Sequence, residues 1–249
     1  MDEAQYARYA RQIRLGEVGE AGQQRLLDAR VLVVGMGGLG SPVSMYLAAA
    51  GVGHLVLSDF DRVDESNLQR QIVHHHSDLG DSKASSARAT LNAINPGTRV
   101  DALDYELVDE ELDAQAAAAD VLVDCTDNFP SRFALNRVSI ATATPLVSAA
   151  AIRWQGQMAC FLPARAGSPC FQCLYPDESV ESATCAAEGI ISPLVGVMGS
   201  MQALATLGIL LGEDEALCGH LLLFDGLALE WQSVPVAKVP GCPSCGAGI

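Results

Sequence analysis

Two Cys-x-x-Cys pairs, Cys170 with Cys173 and Cys242 with Cys245, lie downstream of a glycine-rich turn, Gly35-Met36-Gly37-Gly38-Leu39-Gly40. Four thiolates delivered by two tight turns are the donor set of a closed, tetrahedral structural zinc site. Paired disulfides and an iron–sulfur cluster use the same residues. Gly35, Gly37 and Gly40 follow the apolar run Val31 to Val34 and precede a helical pattern from Ser41. There, a side chain would block backbone approach to phosphate, and free helix amides face an anion. Such a turn suits NAD, FAD or ATP, or no ligand at all.

The next polar positions discriminate among these ligands. Asp59, nineteen residues past Gly40, ends the following strand, where a carboxylate accepts hydrogen bonds from ribose hydroxyls. Ser66-Asn67-Leu68-Gln69-Arg70-Gln71 is rich in donors, and Lys83 opens the next helix. Arg70 and Lys83 either sit on a solvated surface or neutralise charge that develops during attack on a triphosphate. Lysine occurs only at Lys83 and Lys238, which makes a solvated role for Lys83 the weaker reading. Asp124-Cys125-Thr126-Asp127-Asn128 closes another buried strand. Asp127 offers a hard oxygen ligand for magnesium or an N-cap for the next helix.

These residues need a parallel sheet to converge. Val31 to Val34, His54 to Asp59, Val121 to Cys125 and Pro145 to Ser148 read as strands. Ser41 to Ala50, about Ser82 to Ile94, and the alanine-rich stretch around Gln115 to Ala119 read as helices. Alternating strands and helices predict an α/β, Rossmann-like, mostly parallel sheet with helices on both faces. After Ala151, Gln157 to Leu162, Leu221 to Asp225 and Leu229 to Val236 predict an antiparallel C-terminal lobe that carries the zinc site. The whole chain, 1–249, reads as one unit, with a nucleotide-binding half at 1–150 and a zinc-bearing half at 151–249. Tyr175 to Glu188, which contains Cys185, reads as a crossing loop.

With 49% hydrophobic residues, the chain of 249 residues can bury a large core. A net charge of −15 argues against nucleic acid and anionic membrane surfaces. Ser192 to Leu211 approaches membrane-spanning length, but Gln202 and its Gly and Ser positions predict a buried helix. Met1 to Arg14 does not read as a secretory signal, and eight cysteines then point to a reducing, cytoplasmic setting. Cys125, Cys160 and Cys218 read as buried packing residues. His74, His75 and His76 read as polar surface.

Arg8-Tyr9-Ala10-Arg11-Gln12, Gly35 to Gly40, Ser66 to Gln71, Cys125 to Asn128 and the two cysteine pairs, in this order, resemble the ThiF/MoeB family of adenylyltransferases, relatives of ubiquitin-activating enzymes. The resemblance covers nearly the whole chain. It implies ATP-dependent adenylation of the C-terminal glycine of a small ubiquitin-fold sulfur carrier of the ThiS or MoaD type, ending in Gly-Gly, in thiamine or molybdopterin biosynthesis. A sulfur donor such as a cysteine desulfurase or a rhodanese completes that pathway. The nucleotide-binding set is then Gly35, Gly37, Gly38, Gly40, Asp59, Asp61, Ser66, Asn67, Leu68, Gln69, Arg70, Gln71, Lys83, Asp127 and Asn128, with Asp127 on magnesium. The resemblance further implies that Arg11 reaches the site of a neighbouring subunit in a homodimer, and that Cys185 is a possible sulfur-transfer thiol. A NAD-dependent oxidoreductase and a non-catalytic scaffold are the competing readings.

Overall fold

The computed structural model describes residues 1–176 and 188–246. Runs of β-branched and leucine side chains without polar alternation suit strands covered on both faces. Such runs form β1 (Arg30–Val34), β2 (His54–Ser58), β4 (Val121–Asp124) and the start of β5 (Leu146–Ile152). With β3 (Arg99–Leu103) they run parallel in the order β3-β2-β1-β4-β5. Three further strands, β6 (Gln155–Phe161), β7 (His220–Asp225) and β8 (Glu230–Pro235), extend the same sheet in antiparallel fashion. The expected antiparallel segments are therefore present, joined to the parallel sheet through β5.

Side-chain alternation divides the core. Val31, Val33, Leu55, Leu57, Val121 and Val123 face α3 (Gly40–Ala50), α4 (Lys83–Ile94) and α8 (Ser192–Leu211). Leu32, Val56, Leu122 and Leu146 face α5 (Asp109–Ala117) and α6 (Phe129–Thr142). After β1 the chain adds β2 and β3 on one side, then returns to place β4 on the other. The loops leaving β1 and β4 diverge at this switch point and open a crevice at the carboxyl ends of the strands.

Near the N-terminus, α1 (Glu3–Ile13) and α2 (Gly19–Asp28) lie at the opposite end of the sheet layer. Gln12 Nε2 donates to the Ala50 carbonyl at 3.0 Å, and Asn95 Nδ2 donates to Tyr9 Oη at 2.8 Å. Both contacts seat α1 on the C-terminal ends of α3 and α4. The helix α8 is long and apolar enough to cross a membrane by length and composition alone. Here it packs on the sheet, as expected, with Gln202 fully buried and its Nε2 donating to the carbonyls of Asp124 (2.8 Å) and Val147 (3.3 Å).

Several local expectations need correction. β3 was not anticipated, because Arg99 and Asp101 interrupt its apolar pattern at the sheet edge. β5 runs past Ser148 through three alanines, a residue type that does not favour strands. His74 is not on the surface: it is 5% exposed, whereas His75 and His76 are exposed. Cys218 is only partly buried, unlike Cys125 and Cys160. Most of the segment from Tyr175 to Glu188, with Cys185, lies outside the described residues.

Candidate active site

The glycine turn links β1 to α3 at the switch point, and close packing dictates its composition. Gly35 has φ 94°, and a Cβ there would lie 2.7 Å from the Cys125 carbonyl oxygen. A Cβ on Gly40 would lie 2.0 Å from the Gly35 carbonyl oxygen, so this glycine serves the turn itself. The Met36 N–H donates to Asp59 Oδ2 at 2.6 Å, and the Asp61 N–H donates to Asp59 Oδ1 at 2.8 Å. Asp59 thus ties the turn to the end of β2 while its remaining acceptor capacity faces the crevice.

Around this turn is a cleft of about 1460 Å³. Gly35, Gly37, Gly38, Asp59, Asp61, Asn67, Arg70, Gln71, Lys83, Asp127 and Asn128 all line it. Gly40, Ser66, Leu68, Gln69 and Arg11 do not. The cleft continues past the glycine turn, Arg70 and Lys83 to Gln155 and Gln157 on β6, Asp225 on β7 and Gln232 on β8. Typical small-molecule sites occupy roughly 300–1,000 Å³, so this cleft has room for more than a nucleotide.

Hydrogen bonds organise its cations. Arg70 Nη2 and Gln71 Nε2 both donate to Asn67 Oδ1, at 3.0 and 3.1 Å, and Arg70 Nη1 donates to the Ser66 carbonyl at 3.0 Å. Gln71 is 4% exposed, and its buried Oε1 has no hydrogen-bond partner among the described residues. Lys83 Nζ donates to Asp61 Oδ2 at 2.8 Å.

The two aspartates of the Asp124 to Asn128 segment have different surroundings. Asp124 is fully buried, and its carboxylate accepts from Thr126 N (3.0 Å), Thr126 Oγ1 (2.7 Å) and Ser148 Oγ (2.6 Å). Asp127 is exposed at the cleft wall. Asn128 Oδ1 caps α6 by accepting from Ser131 N at 2.9 Å, a role that the sequence reading assigned to Asp127 as its alternative. Arg132, which sequence reasoning missed, is 8% exposed and lines the cleft. Its Nη2 donates to the Thr126 and Ala149 carbonyls at 2.7 and 3.2 Å, fixing the loop before Asp127. The available signal was its position one turn into a helix that opens on a cleft loop. Cys125 also lines the cleft, but burial, reinforced by Asp124, holds its thiol well above the ordinary range. Burial of this kind opposes the thiolate form that a nucleophilic cysteine uses.

Away from the cleft, Cys170, Cys173, Cys242 and Cys245 form one cluster with all four sulfurs within 4.8 Å of one another. Sulfur–sulfur distances are 3.8 Å for Cys170–Cys173, 3.7 Å for Cys170–Cys242 and 3.5 Å for Cys173–Cys245. Tetrahedral zinc with bonds of about 2.3 Å places its sulfurs about 3.8 Å apart, so these residues fit that ion. Burial pushes the Cys170 thiol up to about 11 and also raises Cys245. Burial opposes the Cys242 thiolate too, but the backbone N–H groups of Cys245 and Ser244 outweigh it and hold that group low. A bound dication would supply the charge that lets all four ionise together.

Residues 9–244 match the model of the ThiF family. The chain is 42% identical over 225 residues to the sulfur carrier protein ThiS adenylyltransferase of Escherichia coli K12, covering 90% of this chain and 89% of that protein. It is also 42% identical over 225 residues to the molybdopterin-synthase adenylyltransferase of the same organism, covering 90% of each. Among solved structures, Escherichia coli MccB in complex with MccA-N7isoASN superposes with a TM-score of 0.82 at 21% identity, over 99% of this chain and 75% of that one, which speaks to the fold alone. On the sequence match, the chain belongs to the ThiF family.

Proposed function

We propose that this protein is an ATP-dependent adenylyltransferase that activates the C-terminal glycine of a ubiquitin-fold sulfur carrier ending in Gly-Gly. The carrying observation is the extended cleft, which joins the glycine turn, Asn67, Arg70, Lys83 and Asp127 to the inner edge of β6, β7 and β8. One end fits a nucleotide, and the other leaves room for the extended tail of a protein substrate.

The chemistry asks little of the enzyme beyond position and charge. The carrier carboxylate, already ionised at pH 7, attacks the α-phosphorus in line. An oxygen–phosphorus bond forms, the bond to the bridging oxygen breaks, and pyrophosphate leaves with the electron pair, giving the acyl-adenylate. Arg70 and Lys83 stabilise the charge on the triphosphate, and the turn amides orient it. Asp127 would hold magnesium, which neutralises phosphate charge when bound. Asp59 directs its free lone pairs to the ribose.

Arg11 sits on α1, seated at the C-terminal ends of α3 and α4, whereas the cleft lies at their N-terminal ends. The 11 residues of α3 span about 16 Å, beyond the reach of an arginine. This supports delivery of Arg11 to the cleft of a second copy in a homodimer. Zinc in the four-cysteine site would tie the C-terminal tail to α7 (Phe171–Leu174) and serve structure rather than catalysis. The carrier is of the ThiS or MoaD type, since relatives acting in both pathways are equally identical to this chain. A cysteine desulfurase or rhodanese would supply sulfur, and Cys185 would act only in that later step. A hydride-transfer reading uses the glycine turn but gives Arg70 and Lys83 no task.

Mass spectrometry of a Gly-Gly carrier incubated with the protein, ATP and magnesium should show the mass of the carrier increased by one adenylyl group. An unmodified carrier, with ATP consumed or not, would overturn the proposal.

A further inference from the structure

His74 lies on the segment between Asn67 and α4, buried against the underside of the glycine turn. Its Nε2 is 2.9 Å from the Met36 carbonyl oxygen and its Nδ1 is 2.8 Å from Ser86 Oγ. Ser86 Oγ also lies 2.7 Å from Asp78 Oδ2, so its single proton is shared between that carboxylate and the ring. All three members of the central contact are buried: Met36 is 0%, His74 5% and Ser86 6% exposed.

A carbonyl oxygen only accepts, so Nε2 must carry a proton in any productive form of this contact. The Met36 carbonyl and the Gly37 N–H belong to one planar trans peptide and point to opposite sides. Holding the carbonyl on His74 therefore turns the Gly37 N–H away from the ring, and Gly37 lines the cleft. The same peptide chain is held one atom group earlier by the Met36 N–H bond to Asp59.

The other ring nitrogen reaches α4. Ser86 is three residues after Lys83, which places both on the same face of that helix. Lys83 lines the cleft at the start of α4. His74 therefore bridges the two sides of the phosphate cradle, the glycine turn through Met36 and the lysine helix through Ser86.

Resting on the adenylyltransferase reading, we infer that His74 is a positioning residue that sets the spacing between the Gly37 amide and Lys83 for a triphosphate. It touches neither nucleotide nor carrier. Burial, aided by Lys83, holds its pKa below the ordinary value of 6.5, while the Met36 carbonyl, Asp59 and Asp78 oppose that shift. Nε2 carries a proton in either charge state: the neutral ring accepts the Ser86 hydroxyl proton at Nδ1, whereas the charged ring donates from Nδ1 to Ser86 Oγ and leaves that hydroxyl to Asp78. Besides these groups, Asp61 faces Lys83 and His75 faces Asp78.

The test compares binding of a non-hydrolysable ATP analogue and of AMP, each with magnesium, to wild type, His74→Ala, His74→Gln and Ser86→Ala. His74→Ala should weaken the ATP analogue roughly three- to tenfold, the worth of one neutral hydrogen bond, and leave AMP within about twofold. Gln, whose amide nitrogen can donate to Met36, should restore most of the loss. Ser86→Ala, which keeps the ring but cuts its link to α4, should repeat the triphosphate-selective loss even if His74→Ala does not fold. The ¹⁵N spectrum of His74 should place a proton on Nε2 at pH 7. Unchanged ATP-analogue affinity, equal weakening of AMP, or an unprotonated Nε2 would each overturn the inference while leaving the adenylyltransferase reading intact. Failure of wild type to bind the ATP analogue would instead overturn that reading.

Discussion

Lys83 and Asp61 form an asymmetric pair: Nζ and Oδ2 are 2.8 Å apart, yet the lysine side chain is 6% exposed and the aspartate 54%. A buried ammonium needs a partner, and here the partner stands at the rim of the cleft, where solvent can supply its other hydrogen bonds. Lys83 is thus held at the start of α4 with its charge directed toward the space that a triphosphate would fill.

Replacing Lys83 with Ala should leave Asp61 solvated and the fold intact while removing that charge. Loss of a group aimed at transition-state charge costs on the order of 3 kcal/mol, about a hundredfold in kcat/KM. Steady-state adenylation kinetics with a carrier check this, and an effect below about threefold would place Lys83 in a structural role.

The neighbouring aspartates should separate fold from catalysis. Asp127→Ala should abolish adenylate formation and barely alter thermal stability, because Asp127 is exposed. Asp124→Ala should destabilise the protein by about 3–5 kcal/mol, since it strands a buried network that includes Arg132. Thermal or urea unfolding alongside pyrophosphate exchange measures both, and near-normal exchange in Asp127→Ala would mean that another carboxylate holds the metal.

Arg11 provides a test of assembly. Arg11→Ala and Asp127→Ala proteins should each be inactive, and mixing them under subunit exchange should restore part of the activity. One of the two sites in the mixed dimer then contains both intact residues. No rescue, with exchange confirmed by native mass spectrometry, would remove Arg11 from the partner's site.

The cysteine cluster should contain about one zinc per chain when the protein is purified without chelator. Cys242→Ser should lose the metal and lower the unfolding temperature while retaining nucleotide binding, since none of the four cysteines lines the cleft. Stoichiometric zinc in that variant would contradict a single four-thiolate site.

The strands that build the switch point were legible because Val31 to Val34 and Val121 to Val123 are uninterrupted apolar runs, and the glycines between them punctuate the chain. β3 was not, because an edge strand tolerates Arg99 and Asp101 on its open side. Likewise, most residues picked from sequence do line one cleft, since they sit at strand ends that a parallel sheet must align. What sequence could not supply was the partner of each polar group. His74 looks like its exposed neighbours until Met36 and Ser86 close over it, and Arg132 looks like an ordinary helix residue until its guanidinium meets the Thr126 carbonyl. These contacts join residues distant in the chain, and no local pattern encodes them.

Carrier-dependent exchange of radiolabelled pyrophosphate into ATP tests the central claim most directly, because it requires reversible formation of an acyl-adenylate and nothing downstream. Label should enter ATP only when a Gly-Gly ubiquitin-fold carrier is present, and removal of the carrier's terminal glycine should abolish it. The Cys185→Ser variant should retain exchange, since adenylation precedes any thiol step. Absence of exchange with both ThiS-type and MoaD-type carriers, in protein shown to bind ATP, would contradict the assignment.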